Sequence, residues 1–452
     1  MKSKYRLAVG KKNVYCKKTG EVMIKVYTHS LGCPKNMVDT EDILGGLIEN
    51  FSAVAEPGEA DVVLINTCAF IRPAVEESLE TIFSVAKDIE SLNPRPLLVV
   101  TGCLVSRYGP GLAREIPEAD MFVPISQQAE LPGRILHRLG RLINGESPVW
   151  RQGPFKSYAY LKISEGCNNR CAFCTIPSIR GRLRSRPAQE VLLEAGHLIG
   201  QGAVELVLVS QDSTAYGRDL GYRRGLADLA EKLAELEGLN RLRVMYLYPS
   251  GLDEGLLARL AELGPPFVPY FDVPLQHAHP EILKKMGRPF QQDPMEVIRR
   301  IRRHFPGAAI RSTLITGYPG EEEEHFQALL ELVRRAELQH LGVFPFYPEE
   351  GTRAAGFAGQ VPDEVKKERR RLIMQEQKRI SREYLQRFQG EGLDILVDAP
   401  HPEWPGLYTG RTWFQAPEAD GLTYISGPGV GPGKMVRAEI TASHDYDLQA
   451  LA

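Results

Sequence analysis

Cys167-Asn168-Asn169-Arg170-Cys171-Ala172-Phe173-Cys174 decides the fold, because a C-x3-C-x2-C run places three thiols on one short loop directly behind a strand-like segment. That segment, Tyr158–Ile163, opens a series in which strand patterns alternate with helical ones. Further strands are expected at Leu206–Val209, Arg243–Leu247, Val268–Asp272, Ile310–Thr316 and Gly342–Phe346. Between them the apolar spacing predicts helices at Ala188–Ile199, Leu226–Glu235, Asp253–Leu263, Met295–His304 and Glu322–Ala336. Six βα units fall short of the eight that close a full barrel, so an open, partial (βα)6 barrel is expected, with its mouth at the strand C-termini.

Upstream, Val22–Tyr27, Val62–Ile65 and Leu97–Val100 are short, rich in β-branched residues and separated by helical lengths, as in a parallel α/β sheet. A cysteine follows each almost at once, in His29-Ser30-Leu31-Gly32-Cys33, Asn66-Thr67-Cys68 and Thr101-Gly102-Cys103. Cys33, Cys68 and Cys103 are thus 35 residues apart in both steps. Open α/β sheets bind ligands at the carboxyl ends of their strands, so the period reads as a βα repeat delivering one thiol per unit to one edge. Three buried structural cysteines are the alternative.

Downstream, Pro362 stands where a helix can start, and a charged helix is expected from Asp363 to about Phe388. From Gly390 the pattern changes to short strand-like pieces at Ile395–Val397, Leu407–Thr412, Leu422–Ile425 and Met435–Ile440, broken by Gly and Pro as in a small antiparallel β-barrel. The expected fold class is therefore α/β with an N-terminal parallel sheet, a central partial barrel and a small β-barrel at the end. With a junction near Ser147–Pro154, the expected divisions are a basic extension over 1–21, then 22–148, 149–386 and 387–452.

Composition bounds the function. The 452 residues carry 55 Lys+Arg against 57 Asp+Glu, so the whole molecule is no electrostatic sponge for nucleic acid or anionic membrane. No run approaches the roughly 20 apolar residues that span a bilayer, and no apolar stretch follows the charged N-terminus, so a cytoplasmic protein is expected. Seven cysteines are too few for a disulfide scaffold in a chain of this length. Cys16 stands alone in a Lys-rich leader that reads as a frayed extension.

The chemistry follows from the missing fourth ligand. Three thiolates can hold three irons of a 4Fe-4S cubane and leave one iron open to chelate the amino and carboxylate groups of S-adenosylmethionine, whose reductive cleavage then yields a 5′-deoxyadenosyl radical. Zinc is the main alternative, but structural zinc takes four closed ligands and no nearby His or fourth Cys completes the set. Cys33, Cys68 and Cys103 again supply three ligands. A second 4Fe-4S cluster with an open iron could bind exogenous sulfur, whereas a cluster that only relays electrons usually has four thiolates.

These residues resemble the methylthiotransferase family of radical S-adenosylmethionine enzymes, from about residue 22 to 452. Ser30-Leu31-Gly32-Cys33-Pro34-Lys35-Asn36, Asn66-Thr67-Cys68-Ala69-Phe70-Ile71, Thr101-Gly102-Cys103-Leu104 and Ser164-Glu165-Gly166-Cys167 through Arg186-Pro187 are similar to the RimO-type branch. That branch modifies an aspartate of ribosomal small-subunit protein 12. The MiaB-type branch, which acts on an isopentenylated adenosine of transfer RNA, typically has Gln-Met where this chain has Pro34-Lys35. Gln211 to Gly217, Asp272 to His277, Gly317-Tyr318-Pro319-Gly320 and Glu349-Glu350-Gly351-Thr352 agree further. All four lie at C-terminal ends of expected barrel strands, which makes Gln211, Asp272 and Gln276 candidates to contact S-adenosylmethionine or substrate. His277 and His279 read as packing residues rather than ligands. Thr40, where Ser is usual, and Tyr347-Pro348, where Tyr-Ser is common, depart from the pattern.

The resemblance implies that Cys167, Cys171 and Cys174 hold the radical-generating cluster and Cys33, Cys68 and Cys103 the cluster that carries sulfur. It also implies two molecules of S-adenosylmethionine and an external low-potential reductant of flavodoxin or ferredoxin type. An aspartate Cβ–H is too weakly acidic for a side-chain base, so hydrogen-atom removal is the sensible route. The last module resembles TRAM, which helps relatives to grip RNA. From Leu385 to Ala452, however, four basic residues face nine acidic ones. Phosphate binding wants the opposite sign, and a basic ribosomal protein suits such a module better. Three readings stay open: the protein-aspartate enzyme, the transfer-RNA enzyme, and a non-catalytic iron–sulfur carrier.

Overall fold

The computed structural model describes residues 23–47, 51–141, 151, 157–289, 291 and 293–452. The leader with Cys16, the residue Val22, and the expected junction apart from Arg151 lie outside them. Packing divides the chain into two units, Met1–Gln152 with Thr175–Arg182, and Gly153–Cys174 with Leu183–Ala452.

In the first unit β1 (Ile24–Ser30), β2 (Phe51–Ala53), β3 (Val62–Thr67), β4 (Leu97–Gly102) and β5 (Met121–Pro124) form a sheet in the order β2-β1-β3-β4-β5, with every pair parallel. The central strands are apolar on both faces because helices cover both. Val63, Ile65, Leu98 and Val100 pack on the helix Arg72–Ile89, while Val62, Leu64 and Val99 pack with Ile43 and Ile135 on the other side. β3 and β4 run two residues beyond the apolar cores read from sequence, so Cys68 and Cys103 follow their strands directly. The edge strands β2 and β5 were not expected; with three and four residues they carry too short a pattern to announce themselves.

The second unit begins with β6 (Tyr158–Lys162), followed by a small antiparallel pair, β7 (Ser164–Glu165) and β8 (Arg184–Ser185). β9 (Glu205–Val209), β10 (Arg241–Val244), β11 (Phe267–Asp272), β12 (Ala309–Thr316) and β13 (His340–Pro345) then add in sequence order to β6. All five pairings are parallel, and among the described residues β13 does not pair with β6, so the six-stranded barrel is open. β10 begins two residues before the expected Arg243–Leu247 and ends at Val244, ahead of Tyr246, whose φ of 61° breaks the regular strand. The helix Pro280–Met286 escaped the sequence reading because it is seven residues long.

The helix Asp363–Gln386 leads to β14 (Gly392–Pro400), β15 (Tyr408–Arg411), β16 (Thr423–Ser426), β17 (Met435–Ser443) and β18 (Leu448–Leu451), a closed barrel in the order β14-β15-β16-β18-β17. Its pairs are antiparallel except β16 with β18, the unexpected strand that closes it.

This β-barrel packs on the N-terminal ends of the six parallel strands through a layer of buried charge. Glu205 at the start of β9 accepts from Arg243 and from Arg411, each at 2.7 Å, and Arg411 also holds Asp398 at 2.7 Å. Arg311 and the Tyr270 hydroxyl both reach Asp420, at 2.6 and 2.7 Å. Arg241 donates to the carbonyls of Arg411 and Asp394, and Arg243 to that of Trp413. Asp398, Asp420 and Arg411, all counted above toward the charge of this module, are therefore spent inside the molecule, and the remaining acids still outnumber the bases.

Candidate metal centres

In the first unit the three thiols sit behind adjacent strands. Cys33 caps the helix Pro34–Gly46, Cys68 follows β3, and Cys103 opens the helix Cys103–Tyr108. Two glycines make the convergence possible. Gly32 has a φ of 91°, and a Cβ there would lie 2.7 Å from both Cβ and Sγ of Cys68. Gly102, at φ 99°, would drive a Cβ to 2.3 Å from Asn66 Oδ1 and 2.5 Å from the Thr67 carbonyl. No other residue fits either place.

All six described cysteines are free thiols. Burial, reinforced by Cys103 and Cys33, pushes the Cys68 thiol up to about 12. Burial also raises Cys103, against the pull of the Arg180 guanidinium. Thiols this buried stay protonated at neutral pH unless a metal replaces the proton. With the half-buried Cys33 they bring three thiols to one sheet edge, and with Arg180 donating to Cys103 Sγ at 3.7 Å they make a donor set that suits an iron–sulfur cluster.

In the second unit the loop of Cys167, Cys171 and Cys174 follows β6 and β7 at the strand C-terminal rim. It is pinned at its middle, where Ala172 N donates to Met286 O at 2.8 Å, Ala354 N to Ala172 O at 2.9 Å, and Arg353 to Arg170 O at 2.7 Å. Asn169 N donates to Cys167 Sγ at 3.4 Å, and the Asn169 amide is held by Asp212 at 2.8 Å. Arg288 Nη1 donates to Cys171 Sγ at 3.7 Å while its guanidinium stacks 4.1 Å from the Tyr248 ring centroid. Burial raises the Cys167 thiol, and the Asn169 N–H opposes it. This set too suits a cluster ligated by three thiolates.

The three rim candidates have different surroundings. Gln211, just after β9, donates to Glu165 Oε1 at 2.6 Å, and its own Oε1 is buried without a partner. Asp272, the last residue of β11, accepts from Tyr246 N at 3.2 Å and lies 3.7 Å from Arg311, so its carboxylate is partly occupied. Gln276 sits in the left-handed region at φ 73° between the Thr313 carbonyl and the Ile315 N–H. His277 Nε2 bonds Glu321 at 3.2 Å, a packing role. Ligand atoms of His279, Glu281 and His325 lie within 4.8 Å of one another. Each of the two rings, however, accepts a backbone N–H at Nδ1, which leaves the proton on Nε2 and no lone pair for a cation. Arg180 and Arg288 were missed from sequence. Their only local sign is a neighbouring glycine, and their thiol partners are 77 and 117 residues away.

Three family models match the chain: Uncharacterized protein family UPF0004 over residues 25–124, the Radical SAM superfamily over 161–333 and the TRAM domain over 390–452. A protein named ribosomal protein uS12 methylthiotransferase RimO from Oleidesulfovibrio alaskensis is 54% identical over 95% of this chain and 100% of its own length. Those of Lawsonia intracellularis and Moorella thermoacetica are 48% and 42% identical, over 95% and 94% of this chain and 98% and 99% of theirs. Among solved structures, the radical S-adenosylmethionine methyltransferase TsrM from Kitasatospora setae superposes with a TM-score of 0.52 at 17% identity, covering 72% of this chain and 73% of its own, a likeness of fold alone. Matched along almost their whole length and to the same family name each time, the relatives leave one conclusion: this chain belongs to the RimO family of radical S-adenosylmethionine methylthiotransferases.

Proposed function

We propose that the chain transfers a methylthio group to the β-carbon of an aspartate of ribosomal protein uS12. The observation that carries this reading is the pair of three-thiol sets, each behind parallel strands, in a chain 54% identical end to end to a protein of that name. The names of the relatives do not favour the transfer-RNA alternative.

Cys167, Cys171 and Cys174 hold one 4Fe-4S cluster, and Cys33, Cys68 and Cys103 the other. When bound, the first supplies low-potential electrons for cleaving S-adenosylmethionine, and the second an open iron for the sulfur that is transferred. The chain's own part is to shape and orient. The Asn169 N–H and Arg288 stabilise the negative sulfurs of Cys167 and Cys171. Gln211 offers an unpartnered acceptor, and the strained Gln276 presents a fixed backbone, at the rim where S-adenosylmethionine and substrate meet; Asp272 steadies that rim through Tyr246 and Arg311. The working divisions are 22–148 for the sulfur-carrying cluster, 149–386 for radical generation and 387–452 for the TRAM module, after a basic extension over 1–21. Electrons come from a low-potential protein of flavodoxin or ferredoxin type. No described helix is long and apolar enough to cross a membrane.

The test is mass spectrometry of uS12 and of transfer RNA after incubation with the anaerobically reconstituted enzyme, S-adenosylmethionine, sulfide and a reductant. A mass gain equal to SCH3 replacing H on the aspartate peptide, with none on transfer RNA, supports the reading. The reverse pattern overturns it.

A further inference from the structure

A buried ion pair touches one thiol of the first unit, that of Cys103. Arg180 closes the short helix Ile176–Arg180, and its side chain and that of Asp39 are both 1% exposed and 3.1 Å apart. Burying such a pair carries a desolvation cost, which its Coulomb attraction repays only with good geometry and further hydrogen bonds. Those further bonds exist. Arg180 Nη2 also donates to Asn36 Oδ1 and to Cys103 Sγ. The Asn36 amide is fixed by its own NH2 group, which donates to Leu31 O at 2.7 Å and Thr67 O at 2.9 Å, so its oxygen can only face the guanidinium and Cys103. Asn36 and Asp39 lie in the helix that Cys33 caps. A cation held by a buried anion is thus locked against a cysteine sulfur.

We propose that Arg180, held by Asp39, tunes the cluster bound by Cys33, Cys68 and Cys103 by fixing the charge beside Cys103. The inference rests on the ligand assignment made above. Reducing a cluster adds a negative charge, which a nearby cation stabilises and a nearby anion opposes, most strongly in a site shielded from water. Loss of Arg180 therefore lowers the reduction potential, and loss of the Asp39 charge raises it. A pair that served folding alone would not shift the potential in opposite directions.

The experiment uses the full chain with Cys167, Cys171 and Cys174 all changed to Ala, so that only one cluster loads, and compares it with the same chain carrying R180M, R180K or D39N. Each is reconstituted with iron and sulfide without oxygen, assayed for iron and titrated with dithionite while the reduced-cluster electron paramagnetic resonance signal is followed. A lower midpoint for R180M, a higher one for D39N, and R180K nearer the parent are expected. Should R180M not fold, the upward shift of D39N with retention by R180K decides. Iron bound at unchanged midpoints, or shifts of R180M and D39N in the same direction, overturns the tuning role alone. A parent that takes up no iron overturns the ligand assignment and the tuning role with it.

Discussion

The two ends of the six-stranded barrel use polar groups in opposite ways. At the strand N-termini, Glu205, Arg241, Arg243 and Arg311 are matched by Arg411, Asp398, Asp420 and backbone carbonyls of the C-terminal module. At the strand C-termini, Gln211 Oε1, Ser164 Oγ and Arg288 Nε are buried without partners, and Tyr246 and Gln276 hold left-handed backbone. Orphans are not confined to the rim, since Arg243 Nη2 and Gln415 Nε2 also lack partners. Even so, charge at the base is paired with charge, whereas the rim keeps unused hydrogen-bonding capacity and strained backbone beside three thiols. The base reads as structure and the rim as a place prepared for ligands.

The sharpest break in that contrast comes from the thiols. Changing any one of Cys167, Cys171 or Cys174 to Ala is expected to reduce 5′-deoxyadenosine release to background in a reductive cleavage assay, with little change in the denaturant midpoint of the metal-free chain. At the base the pattern should invert. Glu205→Ala leaves Arg243 and Arg411 buried beside a vacated carboxylate, and truncating one partner of a buried pair costs about 3–5 kcal/mol. Chemical unfolding should show that loss, while cofactor cleavage per folded molecule stays close to the parent.

The same carboxylate predicts a pH dependence. Although burial alone would raise it, Arg411, Arg243 and Arg241 hold Glu205 down at about 2 against an ordinary 4.5. A folded-state value below the unfolded one gives stability that is fully present above pH 4.5 and is lost as pH falls toward 2. The linkage amounts to roughly 3 kcal/mol. Thermal melts over that window should fall steeply for the parent and less steeply for Glu205→Gln. The smallest effect is at the rim. Gln276→Gly should relieve left-handed strain and gain up to about 1 kcal/mol in stability. If Gln276 serves the cofactor, equilibrium dialysis will show weaker S-adenosylmethionine binding in the same variant; unchanged binding would reduce Gln276 to a turn residue.

Much of this was legible in the sequence, and what was not has a physical reason. The strands β3, β4 and β9 announce themselves because continuous apolar runs rich in β-branched residues are needed where both faces are covered. The cysteines announce themselves by spacing. β18 and the helix Pro280–Met286 are too short for periodicity to register. The Arg180–Asp39 pair spans 141 residues and that of Arg411 with Glu205 spans 206, distances at which residue types alone specify no partner. The excess of acid in the last module illustrates the hazard: counting charges along a chain cannot tell Asp420, locked under Arg311, from a carboxylate in water.

The layer at the barrel base also has a history within each molecule. Because Arg411 follows Glu205 by 206 residues, a ribosome adding roughly 5–20 residues per second leaves Glu205, which Arg243 already holds, waiting roughly 10–40 s for its second cation. During that interval Arg241 lacks the carbonyls of Arg411 and Asp394, and Arg311 lacks Asp420, so the strand ends resist dry packing. The barrel base is thus completed only when β14, β15 and the loop carrying Asp420 have been made, and a message cut short before β14 would yield a barrel without its floor.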